Sequence, residues 1–321
     1  MTATKSRPLL LSVLPITSMS TKIGIRAWID FAFKKIFGKK GNEICLVSLL
    51  NSVLDLPSPI ESVQYLNPFS LKEFQEDKFI CVDVKATDSR GRVFVVEVQI
   101  APITCFIKRA TYYAAKTFTE QLPSGGAYSS LKATYAVCLL TGSIWTDDRL
   151  HHDFRMTEKE SGAVLMDSIE IHPVELGKYK GTQESLRTAS VLEQWCYWIV
   201  QSHEHSEDEL RELLPGLEFL HATRELRKIQ EITEEKQMYD SREKGHLDWQ
   251  SSIIDAREEG REKGREEGLE KGREEGEIKL IKTLREILNI SSSDDSQFEG
   301  KSLMELQAIT ASLRDQILKR S

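Results

Sequence analysis

The chain has 321 residues, 40% of them hydrophobic and 29% charged, with a formal net charge of −7. That length accommodates one large domain or two ordinary ones with a well-buried core. The acidic balance excludes a polybasic or histone-like binder, so any nucleic-acid contact must come from a local patch. No stretch reaches the roughly 18 to 20 apolar residues of a membrane helix, and no membrane partner is expected. Residues 8–16 resemble a short signal core behind Lys5 and Arg7, but Pro15 interrupts it and no small-x-small cleavage site follows. Residues 1–24 are therefore expected to be a disordered leader, with Met19 as an alternative start. The five cysteines, Cys45, Cys81, Cys105, Cys138 and Cys196, are scattered and form no C-x-x-C pair. They suit a reduced, cytoplasmic protein rather than a disulfide framework or zinc site.

Helical spacing begins near Trp28. Phe33, Ile36 and Phe37 recur at i, i+3 and i+4, with Lys34, Lys35, Lys39 and Lys40 on the other face and Gly38 or Gly41 as the stop. A second helix is expected from Glu43 to Leu54. Strands follow at 60–67, 79–87 and 93–100, then a helix over 104–122 that ends at Pro123-Ser124-Gly125-Gly126. Further strands are expected at 134–140, 153–156 and 164–172, with a turn starting at Pro173. Helices then occupy 188–202 and 207–238. This order reads as an α/β or α+β domain, with helices packed on a mixed sheet, over residues 25–244.

Composition changes after Gly245. Gly260, Gly264, Gly268, Gly272 and Gly276 recur every fourth residue between charged triplets. Residues 245–279 read as a solvated, partly helical linker; alternatively, they form a helix whose glycine seam lets another backbone approach. Each glycine costs a helix about 1 kcal/mol against alanine. Two amphipathic helices, 278–290 and 303–318, complete a C-terminal segment, 280–321, expected to self-associate or dock and so to make the chain a homo-oligomer.

The strongest local pattern is a β-hairpin over 79–100. A three-residue loop, Ser89-Arg90-Gly91, places the glycine where a left-handed conformation is needed. It pairs Asp88 with Arg92, and the ladder then sets Asp83 opposite Glu97, Lys85 opposite Val95 and Cys81 opposite Gln99. Opposed residues share a face, so Asp83, Lys85, Glu97 and Gln99 point one way. Ile80, Val82, Val84, Phe94, Val96, Val98 and Ile100 form the apolar reverse. Facing carboxylates destabilise a sheet unless something offsets them. A hard divalent cation, Mg²⁺ or Mn²⁺, does so and can activate water at a phosphodiester. An exposed face with Lys85 as counter-charge is the alternative on spacing alone.

The segment from Asp30 to Gly38 (DFAFKKIFG), Leu49 to Leu54 (LLNSVL), Asp83, Val96-Glu97-Val98-Gln99, Lys108 to Tyr113 (KRATYY) and Gln121-Leu122 together resemble the Rpn family of recombination-promoting nucleases and transposases, within the PD-(D/E)XK nuclease superfamily. The glycine-every-four tail is also similar to that of these proteins. The resemblance implies a restriction-endonuclease-like α/β fold and metal-dependent DNA cleavage linked to recombination or mobile DNA. Asp83 and Glu97 would hold the ion, aided by the Val98 carbonyl. Val82 stands where the superfamily has proline, and Gln99 where it usually has lysine. Gln99 could orient water but supplies no positive charge. That charge would come from Lys85, Lys108 or Arg109, of which Lys108 and Arg109 could also bind a phosphate. Asp30 adds an accessory acid or caps its helix. The missing lysine also fits a catalytically degenerate module that binds DNA or protein, and the sequence does not separate DNA from RNA as substrate. His151-His152-Asp153 and His203-x-His205 have short spacings that could bind a transition metal, but no cysteine or further histidine partner is visible for them.

Overall fold

The computed structural model describes residues 21–71, 83–99, 105–165, 168–290, 298 and 300–319. The leader up to residue 20, the 79–82 half of the hairpin with Cys81, and Ile100 lie outside them. The chain divides into two compact units, Met1–Glu243 and Lys244–Ser321.

The first unit is built on a six-stranded mixed sheet in the order β1-β2-β3-β4-β6-β5. Its strands are β1 (Val63–Tyr65), β2 (Val84–Asp88), β3 (Val93–Gln99), β4 (Thr134–Leu140), β5 (Phe154–Arg155) and β6 (Ile169–Glu175). The central strands β3, β4 and β6 run parallel, and β1, β2 and β5 are antiparallel to their neighbours. Val93 and Val95 on one face of β3 and Val96 on the other are all buried, as a central strand requires.

One face carries the main core. Val84, Ala86, Phe94, Val96, Tyr135, Val137 and Val174 meet α1 (Asp30–Gly38) and α2 (Glu43–Val53) there. The other face is covered by α3 (Phe106–Glu120), whose Phe106, Ala110 and Ala114 pack on Ala136, Cys138 and Leu140. Three further helices join the main core: α4 (Val191–Gln201), α5 (Glu207–Leu213) and α6 (Leu217–Glu231). Both α4 and α5 start in capping boxes, Ser190 with Glu193 and Ser206 with Glu209, each satisfying two backbone N–H groups. Packing begins ahead of position 25: Ile23 is fully buried and its N–H donates to the His205 carbonyl at 2.8 Å.

Two expected elements take a different course. The helix expected over 207–238 is cut at Pro215-Gly216, because proline cannot continue α5 and removes a donor. The turn expected at Pro173 is absent. Pro173 sits inside β6, which runs on to Glu175. His152 N–H donates to the Pro173 carbonyl at 3.0 Å, so the missing Pro173 N–H falls towards the short edge strand, where no regular ladder is lost.

A long helix, α7 (Thr233–Ile287), begins in the first unit and runs into the second. Its first turns lock onto the domain. The Tyr239 hydroxyl accepts from Arg26 N–H at 2.9 Å and donates to Glu243 at 3.0 Å, and Arg26 pairs with Glu243 at 2.6 Å. In the second unit the glycine repeat is helical throughout. The terminal helix α8 (Leu303–Leu318) folds back on the end of α7, where Ile281, Leu284, Leu288, Phe298, Leu306 and Leu313 form a small core. The two terminal amphipathic segments thus bury their apolar faces against one another.

Candidate active site

The β2–β3 hairpin sets the site. Gly91 has φ +79°, and Asp88 closes the loop by accepting from the N–H groups of Arg90 and Arg92, each at 3.0 Å. The Arg92 guanidinium adds a 2.6 Å ion pair to Asp88. The register is Val84 to Val96, Lys85 to Val95 and Ala86 to Phe94, as the sequence predicts. Continued one residue, it brings Asp83 opposite Glu97. Cys138 is the β4 partner of Glu97, so Glu97 faces the α3 side, away from the main core.

Asp83 reaches across the ladder. One carboxylate oxygen accepts Val98 N–H at 2.9 Å, and the other lies 3.7 Å from the Lys34 ammonium. Glu97 is 6% exposed, with the Arg109 guanidinium 4.0 Å away. Burial pushes the Asp83 carboxyl up to about 7; Lys34 opposes this, and the Glu97 charge adds to it. Burial also raises Glu97 above the usual carboxylate range, against the pull of Arg109 and Lys34. Lys34 therefore acts on both acids. Burial likewise raises the Cys138 thiol, so it stays protonated.

The remaining candidates are distributed around this pair. Asp30 opens α1, where its side chain accepts from Phe31 N–H at 2.8 Å and adds to the negative field at Asp83. Ile29, not Asp30, occupies the helix cap position. Lys85 shares the acids' face, but its ammonium goes to Glu120 on α3 at 2.9 Å and not to the acids. Arg109 stands beside Glu97, whereas Lys108 is exposed one residue away. The Val98 group that touches Asp83 is its N–H. Gln99 ends β3 with its backbone opposite Leu140.

Lys34 is the residue that the sequence pattern placed on an outer helix face. Asp30 and Lys34 are four apart, so one side of α1 presents an acid and a base together. That spacing was available in the sequence, but which object this side of the helix meets was not. The acids themselves fit a hard divalent ion: two oxygen donors on one face, both held towards the protonated state by burial, and in Asp83 by its neighbour's charge as well. A dication would relieve that repulsion.

No curated protein and no solved structure matches the chain at a significant level. A family model described as "PD-(D/E)XK nuclease family transposase" matches residues 27–256, which include the hairpin, Lys34 and Arg109. The mixed sheet with its flanking helices agrees with that fold, and the chain belongs to the PD-(D/E)XK nuclease family of transposases.

Proposed function

We propose that this chain is a divalent-metal-dependent DNA endonuclease that hydrolyses phosphodiester bonds, using Mg²⁺ or Mn²⁺, in recombination or mobile-DNA processing. The observation that carries this reading is the pairing of two largely buried carboxylates, Asp83 and Glu97, with two cations, Lys34 and Arg109, at one sheet end. Asp83 and Glu97 would hold the ion, with the Val98 carbonyl as a third donor. When bound, such an ion supplies an activated water and offsets charge that develops on the phosphate.

The chain's own groups do the rest. Val98 N–H fixes the Asp83 carboxylate in its place beside Glu97. Lys34 takes the role left open by Gln99: its ammonium stands beside Asp83 and can stabilise negative charge on an attacking or leaving oxygen. Arg109, on the first turn of α3, offers a forked donor to a phosphate oxygen. Gln99 is assigned to orienting water, Lys85 to bracing α3 through Glu120, and Lys108 to the DNA backbone. The protein is assigned to the cytoplasm and to a homo-oligomer formed through its tail.

Nicking of supercoiled plasmid in Mg²⁺ or Mn²⁺ is the test. Asp83→Ala and Glu97→Ala should abolish it, and Lys34→Met should lower kcat roughly 10²-fold with little change in DNA affinity. Equal cutting by wild type and both acid variants would remove the proposed site. Metal-independent DNA binding without any cutting would favour the non-catalytic module that Gln99 allows.

A further inference from the structure

The far edge of the sheet gathers a second set of metal-ligand side chains. Strand β6 carries Glu170 and His172 on one face. Its partner β5 is registered Phe154 to Ile171 and Arg155 to Glu170, and a further bridge joins His151 to Val174. The same register sets Asp153 opposite His172. Oxygens of Asp153 and Glu170 and a nitrogen of His172 all lie within 4.8 Å of one another. This face is not that of Glu97. The β4 partner of His172 is Val137, in the main core, whereas the partner of Glu97 is Cys138, under α3.

His172 gives the cluster its direction. The residue is 2% exposed, and its Nε2 makes no hydrogen bond. That atom lies 3.4 Å from a Glu170 oxygen and 4.0 Å from an Asp153 oxygen. The other ring nitrogen, Nδ1, is 3.2 Å from His151 Nε2, and the two rings stack. With His172 Nδ1–H donating to His151, the Nε2 lone pair points between the carboxylates. A ligating imidazole held by a hydrogen bond at its other nitrogen is the usual arrangement around a bound metal. Arg155 bridges the two acids, 2.5 Å from Asp153 and 3.3 Å from Glu170, without serving Nε2. Its guanidinium is partly exposed and can leave to solvent.

We infer that Asp153, Glu170 and His172 form a binding site for one divalent first-row transition ion of the zinc type, with His151 positioning His172 and Arg155 holding the place of the cation. One imidazole nitrogen and two carboxylate oxygens make a three-residue set that leaves a position for water. The ion would tie the two-residue strand β5 to the sheet.

The test uses the full chain carrying Asp83→Asn and Glu97→Gln, so that ions at the nuclease site do not contribute. Zn²⁺ titration by calorimetry and metal content after dialysis should give one equivalent. Asp153→Asn and His172→Gln, each in that background, should weaken binding more than about tenfold, and His151→Ala by about 10 to 100-fold. Arg155→Gln should tighten it. Asp153 is partly exposed, so its variant keeps the test valid if the His172 variant fails to melt cooperatively. Absence of Zn²⁺ binding in the background chain, or binding unchanged by Asp153→Asn, overturns the inference.

Discussion

Burial holds the Asp83 carboxyl near 7 even though Lys34 stabilises its charged form and Val98 N–H bonds it. An unfolded aspartate titrates near 3.9. The folded chain therefore binds an extra proton between these values. The stability this group contributes is fully present below about pH 4 and is lost as pH rises through about 7. Asp83→Asn keeps an oxygen acceptor for Val98 N–H and removes the charge. It should stabilise the metal-free protein at pH 8 by an amount on the order of 1–4 kcal/mol, since each tenfold change in proton affinity corresponds to about 1.36 kcal/mol. The gain should shrink at pH 5, as urea melts at both pH values would register. A second consequence concerns the ion itself. Metal must displace the proton, so Mn²⁺ affinity measured by calorimetry should fall by up to about tenfold for each pH step of one below 7. Flat affinity between about pH 5.5 and 8 would mean that Asp83 is not a ligand. The pairing of Asp83 with Glu97 was legible in the sequence because alternation and the Gly91 turn fix register locally. Lys34 was not, since its role comes from the packing of α1 against a strand end far from it in the chain. The cluster around His172 was hidden for the same reason: the strands that carry Asp153 and His172 were both legible, but their pairing at the sheet edge was not, and Pro173 disguised only the continuation of β6 to Glu175.

Helix α7 contradicts its own propensities over the glycine repeat. Five glycines cost about 1 kcal/mol each against alanine, and the surrounding charges offset this only through weak i, i+4 pairs. A Cβ placed on Gly260, Gly264, Gly268, Gly272 or Gly276 meets no atom within 4 Å in a single chain. Alanine should therefore fit at each. Gly264→Ala with Gly268→Ala should raise hydrogen-exchange protection of the neighbouring tail amides by about 1 kcal/mol per substitution. Protection that instead falls would reveal a second backbone seated against the glycines, the seam reading of the repeat. Composition marks the repeat as a poor isolated helix, and by propensity it is one. What composition does not display is the pairing at the far end, where α8 and the end of α7 bury Ile281, Leu284, Leu288, Leu306 and Leu313 together and anchor the last turns.

At the scale of the whole molecule, that same pairing removes one reason for self-association and leaves another. The terminal helices satisfy each other, so their apolar faces do not demand a second copy. The exposed stretch of α7 is where the proposed contact between copies has an apolar face to use. Leu247, Ile254 and Leu269 are each about half exposed, at 48%, 57% and 50%. At 3.6 residues per turn they lie within about 60° of one another around the helix, with Gly268, Gly272 and Gly276 on the same side. An apolar stripe beside residues that lack side chains suits close helix–helix contact between copies. The folded domain has its own core and closes with Tyr239 and Glu243 on Arg26, so a chain ending at Gly245 retains those bonds. Truncation there should give a species that melts cooperatively but has a lower oligomer number than the full chain, as light scattering coupled to gel filtration would show. Ile254→Glu in the full chain tests the stripe directly: a charge set into an apolar contact between copies should lower the oligomer number while leaving the sheet untouched. An oligomer number unaffected by both changes would place self-association outside the tail.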